Sequence, residues 1–131
     1  MRFLLDTSVL LWARTEPERL NRRAEGILRD QSKELVLSAA SVWEISVKYQ
    51  VGKLPLPEPP AICIVRWMQE RGIRALEISH RHALGVGELP PHHQDPFDRM
   101  LIAQAQMEGM TLLTADRVFE RYGVAMIWCG T

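Results

Sequence analysis

Short apolar runs alternate with longer amphipathic segments along this 131-residue chain, and no two of the runs are joined by a tight two-residue turn. Antiparallel hairpins are therefore not predicted. Short strands separated by helical segments are typical of a mostly parallel sheet covered by helices. The sequence thus predicts an α/β fold, a three-layer sandwich around a central sheet of about five strands.

The predicted elements follow from apolar spacing and from helix-ending residues. Strands are expected at 2–5, 35–37, 73–78, 111–114 and 124–128. Helices are expected at 18–30, 38–49, 61–71, 79–86 and 95–109, with a further helix start after residue 8. Four prolines in 52–60 exclude regular helix there, so this stretch is predicted to be a loop.

Composition favours one ordinary domain, expected to span residues 1–131, because 47% of the residues are hydrophobic and none of the apolar runs approaches a membrane span. Asp6 comes too early for a secretory signal, so we expect a cytoplasmic protein. Cys63 and Cys129 are far apart and lack neighbouring cysteines, which predicts buried free thiols and no disulfide framework.

Sixteen basic and sixteen acidic side chains cancel, so the chain lacks the general positive field of many nucleic-acid binders. Thirteen of the basic residues are arginine, whose planar fork matches phosphate oxygens. Four of them closely follow candidate site acids: Arg14, Arg99, Arg117 and Arg121. These arginines are candidates for phosphate contacts, although exposed helix faces explain each of them equally well.

Four acids stand where an apolar run ends or a helix begins, namely Asp6, Glu44, Asp98 and Asp116. The carboxyl ends of parallel strands meet at one edge of a sheet, so we expect these acids to converge. Carboxylates crowded in a partly desolvated cleft repel one another unless cations neutralise them. Oxygen ligands without cysteine favour Mg²⁺ or Mn²⁺. The pattern predicts one acidic metal pocket.

Ordinary explanations exist for most of these acids, since Asp and Glu are common at helix starts. Asp95 before Pro96 is predicted to be a helix cap and not a ligand. Ser41 with Glu44 has the form of a capping box, and Asp98 fits a first-turn acid. Asp6 differs because it interrupts a nearly continuous apolar stretch, where burial of a carboxylate is costly. That position favours a functional role.

The chain resembles PIN-domain nucleases, specifically the toxin half of VapBC toxin-antitoxin pairs. Four patterns carry the resemblance in order over nearly the whole length: Leu4-Leu5-Asp6-Thr7-Ser8, Ser41-Val42-Trp43-Glu44-Ile45, the run from Asp95-Pro96-Phe97-Asp98-Arg99 to Ala105, and Leu113-Thr114-Ala115-Asp116. The third pattern is the most specific. Ser8 departs from the family pattern, because many relatives have Asn there.

The resemblance implies a PIN-like fold and a Mg²⁺- or Mn²⁺-dependent endoribonuclease. It implies that metal is held, and catalysis carried out, by Asp6, Glu44, Asp98 and Asp116. Thr7, Ser8 and Thr114 are then expected to orient the carboxylates or bound waters. An RNA substrate, a cognate antitoxin protein and a homodimer are the implied partners. Metal-activated water would attack phosphorus without a covalent enzyme intermediate.

Three other interpretations stay open. His80 and His82 with His92, His93 and Asp95 are possible ligands of a zinc hydrolase, although surface histidines explain them as well. Asp6 is a possible nucleophile of a phosphatase or phosphotransfer domain, but Ser8 stands where that phosphatase pattern has a second Asp. A catalytically inactive PIN-like module that binds RNA or protein is the third.

Overall fold

Five parallel strands form the central sheet of this protein, whose computed structural model describes residues 1–131. The strands are β1 (Arg2–Leu5), β2 (Glu34–Ser38), β3 (Arg74–Leu76), β4 (Thr111–Thr114) and β5 (Met126–Trp128). They lie in the order β3-β2-β1-β4-β5, and every neighbouring pair is parallel. The predicted α/β fold with a five-stranded sheet is confirmed.

Six α-helices connect the strands and cover both faces of the sheet. They are α1 (Thr7–Thr15), α2 (Arg22–Arg29), α3 (Ala39–Gln50), α4 (Pro60–Arg71), α5 (His80–Val86) and α6 (Pro96–Glu108). Two short 3₁₀ turns, Pro17–Arg19 and Arg117–Tyr122, complete the connections. None of the helices combines the length and the apolar character that crossing a membrane requires.

Successive residues of each strand point to opposite faces of the sheet and supply two separate cores. Phe3 and Leu5 of β1 pack with α1, α2 and α4 on one face. Leu4 faces the other side, where it packs with residues of α6 and with Phe119. Both cysteines are buried and free, as predicted. These two apolar layers hold the sheet between the helices and so determine where the carboxyl ends of its strands lie.

The register of the central strands brings distant polar residues to one edge. Leu5 of β1 is paired with Leu113 of β4, so Asp6 and Thr114 follow side by side. The backbone N–H of Asp6 donates to Leu113 O at 2.9 Å. Because the pairing continues up to these residues, two polar side chains 108 positions apart meet at the carboxyl edge.

Helix α2 begins later than the sequence predicts. Asn21 caps it by accepting the Ala24 N–H at 2.9 Å, and its amide also donates to Trp128 O at 2.8 Å. Residues 17–19 form a separate 3₁₀ turn, because the Asn21 cap interrupts the apolar spacing that suggested one helix from residue 18. The edge strands β3 and β5 are likewise shorter than predicted.

The predicted capping box of Ser41 and Glu44 is wrong. Helix α3 begins three residues before that pair suggests, with Ser38 as its cap and the Ala40 N–H donating to Ser38 Oγ at 3.0 Å. Both residues of the supposed box therefore lie inside the helix, and both are buried. Glu44 consequently has no capping role and turns toward the edge of the sheet that carries Asp6.

Candidate metal centre

A cleft at the carboxyl edge of the sheet brings the four predicted acids together. Its volume is about 450 Å³. The residues that line it include Asp6, Glu44, Asp98 and Asp116, together with Thr7, Ser8, Lys48, Lys53 and Asp95. Each acid comes from a different place: the residue after β1, the middle of α3, the first turn of α6 and the second residue after β4. The fold thus brings into one cleft acids that lie up to 110 positions apart in sequence. Among the four, only Asp98 and Asp116 belong to a set of three ligand atoms within 4.8 Å of one another.

Asp6 is almost entirely buried, with 5% of its surface exposed. Thr114 Oγ1 donates to Asp6 Oδ2 at 2.7 Å, and Ser8 Oγ lies 3.5 Å from the same oxygen. Burial raises the pKa of Asp6 to about 6, and the charges of Glu44 and Asp116 act in the same direction. Thr114 partly offsets these effects. The site therefore disfavours the ionised carboxylate unless a positive charge enters.

Asp98 lies in the first turn of α6, directly behind the Asp95 cap. Asp95 Oδ1 accepts the N–H groups of Phe97 and Asp98 at 2.8 and 3.4 Å, as the sequence predicted for this helix start. Burial raises the pKa of Asp98 to about 8, and the nearby carboxylates add to this rise, with Asp6 contributing most among them. With a pKa of about 8, Asp98 is mostly protonated at pH 7 in the absence of a cation.

Of the two carboxylate oxygens of Glu44, one is hydrogen-bonded and the other has no hydrogen-bond partner. Lys48 Nζ donates to Glu44 Oε2 at 2.6 Å. Glu44 Oε1 is buried and has no hydrogen-bond partner. An unpaired buried carboxylate oxygen is costly, so its presence beside three other acids fits a site that binds a cation. Hard oxygen donors of this kind fit Mg²⁺ or Mn²⁺.

The hydroxyl residues predicted to support the acids do so to different degrees. Thr114 contacts two acids, because it donates to Asp6 and accepts the Asp116 N–H at 3.1 Å. Thr7 instead donates to Ser41 Oγ at 2.9 Å, which ties α1 to α3 inside the protein. Ser41, which the sequence suggested only as part of a cap, thus helps to fix the helix that carries Glu44.

His93, which the sequence suggested only as a possible zinc ligand, lies beside two of the site acids. Its Nε2 lies 2.9 Å from Asp98 Oδ2 and 3.0 Å from Asp116 Oδ2, and its side chain is 15% exposed. The three donor atoms lie within 4.8 Å of one another. The only signal in the sequence was the nearness of His93 to Asp95, which suggested a zinc ligand or an ordinary surface histidine.

The other histidines do not join His93 in the alternative zinc site. His82 is buried on α5 and contacts Glu108 Oε2 at 2.9 Å, while His80 and His92 are exposed. The only group of three metal-ligating side chains consists of His93 with Asp98 and Asp116. The structure therefore does not assemble the predicted histidine cluster.

Three of the four arginines that follow the acids are engaged within the protein. Arg99 donates to the carbonyls of Val86, Leu89, Pro90 and His93. Arg14 pairs with Glu70, and Arg117 pairs with Glu120 while its guanidinium lies 3.8 Å from the Trp128 ring centre. Only Arg121 is exposed without an ion pair. Three of these four arginines thus have partners within the chain. This weakens the case for assigning them to phosphate binding.

Comparisons with known proteins agree with this architecture. The profile of the PIN domain matches residues 3–125. Ribonuclease VapC22 of Mycobacterium tuberculosis is 31% identical over 117 residues, which cover 87% of this chain and 86% of that protein. Ribonuclease VapC16 of the same organism is 43% identical over 56 residues, and this shorter match covers 43% of this chain and 40% of that protein.

A solved structure with the same fold is that of VapBC2 from Rickettsia felis bound to a DNA fragment from their promoter. The TM-score is 0.73 at 18% identity, and the match covers 98% of this chain and 99% of that chain. Identity at this level supports the fold alone. The profile match over nearly the whole length supports the family, and the predicted resemblance is confirmed: this chain belongs to the PIN domain family, among relatives of the VapC type.

Proposed function

We propose that this protein is a Mg²⁺- or Mn²⁺-dependent endoribonuclease and the toxin component of a toxin-antitoxin pair. The observation that carries the proposal is the gathering of four carboxylates in one cleft, with Glu44 Oε1 buried and unpartnered. The ribonuclease names of VapC22 and VapC16 support the reaction class. RNA is the expected substrate, and the cytoplasm is the expected place of action.

Asp6, Glu44, Asp98 and Asp116 would hold the cation. When bound, Mg²⁺ or Mn²⁺ supplies a water of lowered pKa and neutralises charge on the phosphate. Thr114 fixes the two strand-end acids through its hydrogen bonds to Asp6 and to the Asp116 N–H. The buried carboxylates give the cleft its affinity for a cation, and its open side leaves room for an RNA backbone.

Phosphoryl transfer to Asp6 fits the structure less well. A carboxylate nucleophile must reach phosphorus, but Asp6 is 5% exposed and its Oδ2 accepts the Thr114 hydroxyl. The neighbouring acids would also repel an incoming phosphate unless a cation neutralised them first. These contacts favour the role of metal ligand over that of nucleophile.

Cleavage of RNA by the purified protein tests the proposal. We expect cutting with Mg²⁺ or Mn²⁺, loss of cutting with EDTA, and loss in Asp6→Asn with the melting curve retained. Glu18→Gln is the matched control, because this acid is exposed and has no ion pair. RNA binding without cutting in the presence of metal would contradict the enzyme and support the inactive binding module.

An antitoxin is the proposed protein partner, since the similar VapBC2 structure is a complex by its name. A cavity of about 230 Å³ between α1, α2 and α4 offers an apolar seat, lined by Leu10, Leu20, Leu28 and Trp67. Arg29 lies at the same cavity and suits an acidic segment, whereas Arg14 at this cavity is paired with Glu70. Leu28→Glu should reduce co-purification with the antitoxin. Unchanged co-purification would contradict the proposal that the antitoxin binds in this cavity.

A homodimer is proposed through the exposed stripe of α3, defined by Trp43, Val47 and Val51. Their exposed fractions are 59%, 40% and 60%, and their four-residue spacing places them on one helix face. Covering this apolar face with a second copy would remove it from water. Light scattering should give twice the chain mass, and Trp43→Ser with Val47→Ser should halve it. A monomeric wild type would contradict the proposal.

A further inference from the structure

We propose that His93 is a positioning residue of the metal centre, whose Nε2–H holds Asp98 and Asp116 side by side before the cation arrives. This inference rests on the proposed function. Nε2 is hydrogen-bonded to Asp116 Oδ2 at 3.0 Å and lies 2.9 Å from Asp98 Oδ2, so one ring atom contacts both carboxylates. The two acids come from different elements, and His93 belongs to neither of them.

The loop around His93 is held on several sides. The His93 N–H donates to Tyr122 Oη at 2.7 Å, and Tyr122 Oη donates to Pro90 O at 2.9 Å. Arg99 donates to the carbonyls of Pro90, Leu89 and Val86 at 2.9 to 3.2 Å. A ring carried by such a loop has a fixed position relative to α6. His93 is thus pre-placed, and not a freely moving surface side chain.

The hydrogen bond on the far side of the ring determines which nitrogen carries the proton. The Asp95 N–H donates to His93 Nδ1 at 3.2 Å. A nitrogen that accepts a hydrogen bond carries no proton, so the neutral imidazole has its proton on Nε2. Nε2 is then a donor toward the carboxylates and has no lone pair for a metal. Direct coordination through Nε2 would require loss of the Asp95 contact.

This arrangement gives His93 a defined task. Asp98 keeps its second oxygen for a cation in the cleft, while Asp116 Oδ1 accepts the Val118 N–H at 3.0 Å. Further lone pairs on both Oδ2 atoms remain for the ion. Without His93, no side chain would contact both Asp98 and Asp116, and the ion would have to bring the two carboxylates together. Groups that orient metal ligands in this way typically change metal affinity by about ten-fold to a hundred-fold when they are removed.

Mn²⁺ binding, followed by the electron paramagnetic resonance signal of the free ion, tests the inference without reference to activity. His93→Ala should weaken binding by roughly ten-fold or more. His93→Gln should restore most of the affinity, because its amide N–H₂ can reach the position of Nε2 and donate. His92→Ala is the matched control, since this neighbouring histidine is exposed and touches no carboxylate in the site. Melting curves establish that each variant is folded.

The inference would be overturned if His93→Ala bound Mn²⁺ as tightly as wild type. It would also be overturned if His93→Gln bound Mn²⁺ as weakly as His93→Ala. Electron spin-echo modulation of the Mn²⁺-loaded wild type provides a second arm, which also decides the question if His93→Ala does not fold. We expect no directly bound ¹⁴N, and a bound ¹⁴N that disappears in His93→Gln would make His93 a ligand and overturn the inference. Failure of the wild type to bind Mn²⁺ at all would overturn the proposed function itself.

Discussion

Two histidines in this protein sit in the same local arrangement but in different electrostatic surroundings. His82 Nδ1 accepts the Ser79 N–H at 3.0 Å, and its Nε2 contacts Glu108 Oε2 at 2.9 Å. His93 Nδ1 accepts the Asp95 N–H, but its Nε2 faces two carboxylates. In the first case one donor serves one acid. In the second case the donor is hydrogen-bonded to Asp116, and a second acid, Asp98, lies equally close to it, with further acids in the same cleft.

The pKa values of the acids show the consequence. The hydrogen bond from His82, as the largest cause, lowers the pKa of Glu108 below its usual range. Burial raises the pKa of Asp98 to about 8, and the neighbouring acids add to the rise. The folded chain therefore already supplies a partner for the ionised Glu108, namely His82. The cluster around His93 remains short of positive charge, which is the condition a bound cation would relieve.

The largest effect is expected from a substitution in the cluster of four acids that line the cleft. Asp98→Asn should lower metal-dependent RNA cleavage by roughly two to three orders of magnitude, because charge stabilisation by a bound ion is worth several kcal/mol. Cleavage rates at saturating Mn²⁺ measure this effect. Glu108→Gln, which changes the acid of the other histidine, should leave the rate nearly unchanged. Equal losses in both variants would remove the distinction between the two clusters.

The pH dependence of stability should also separate the crowded cluster from an ordinary acid pair. The folded pKa values of Asp6 and Asp98, about 6 and 8, lie above the unfolded value of 3.8, so the folded state holds more protons between these limits. Stability of the metal-free protein should therefore fall as pH rises from 5 to 9. We expect a loss of roughly 5 kcal/mol, because above pH 5 the difference persists for about three pH units at Asp98 and about one at Asp6, at about 1.4 kcal/mol per unit.

Denaturant unfolding at several pH values in EDTA measures this trend. Asp98→Asn should flatten the pH dependence and make the metal-free protein more stable than wild type at pH 8. Wild-type stability that rises steadily over the same range would show that the two carboxylates are not disfavoured in the folded state.

The cluster around His82 should affect stability without affecting the metal. His82→Ala removes the partner of Glu108 and leaves the Ser79 N–H without its acceptor, so we expect a loss of roughly 1 to 3 kcal/mol. Mn²⁺ affinity at 10 °C should match that of wild type. Unfolding curves and Mn²⁺ titration measure the two quantities, and a marked drop in affinity of the folded variant would contradict the separation.

The smallest expected effect concerns Lys48, which lines the cleft and donates a hydrogen bond to Glu44. Lys48→Met frees Glu44 Oε2, which now accepts Lys48 Nζ, but the lysine side chain is 49% exposed. Exposed pairs contribute about 0.2 to 1 kcal/mol, so Mn²⁺ affinity should rise by no more than roughly five-fold. Weaker Mn²⁺ binding in the variant would mean that Lys48 holds Glu44 in place for the ion.

The sequence predicted those parts of the site that depend on local order. Asp6 was identified because it interrupts an apolar stretch, and Asp95-Pro96 marked the start of α6 correctly. The capping-box interpretation of Ser41 and Glu44 is wrong because the same spacing fits a capping box and a buried helix face equally well. Ser38 caps α3 instead, because it is the last residue of β2 and accepts the Ala40 N–H.

The contacts of His93 and Arg99 were not predicted for a different reason, and the sequence suggested a zinc ligand and a phosphate contact instead. The partners of His93 include Asp116, 23 positions away, and Tyr122, 29 positions away. Arg99 folds back on a loop that has no periodic pattern, so its carbonyl partners could not be deduced from spacing. Contacts of this kind arise only once helices and strands are packed, which single-residue propensities do not encode.

Calorimetric titration of the metal-free protein with Mn²⁺ at pH 7, in buffers of different ionisation enthalpy, tests the central claim most directly. The crowded acids must lose protons when they ligate a cation, so binding should release close to one proton per ion, mainly from Asp98. Asp6→Asn and Asp98→Asn should each weaken this binding strongly. Binding without proton release, or binding that both variants retain, would contradict a single cation site built from these distant carboxylates.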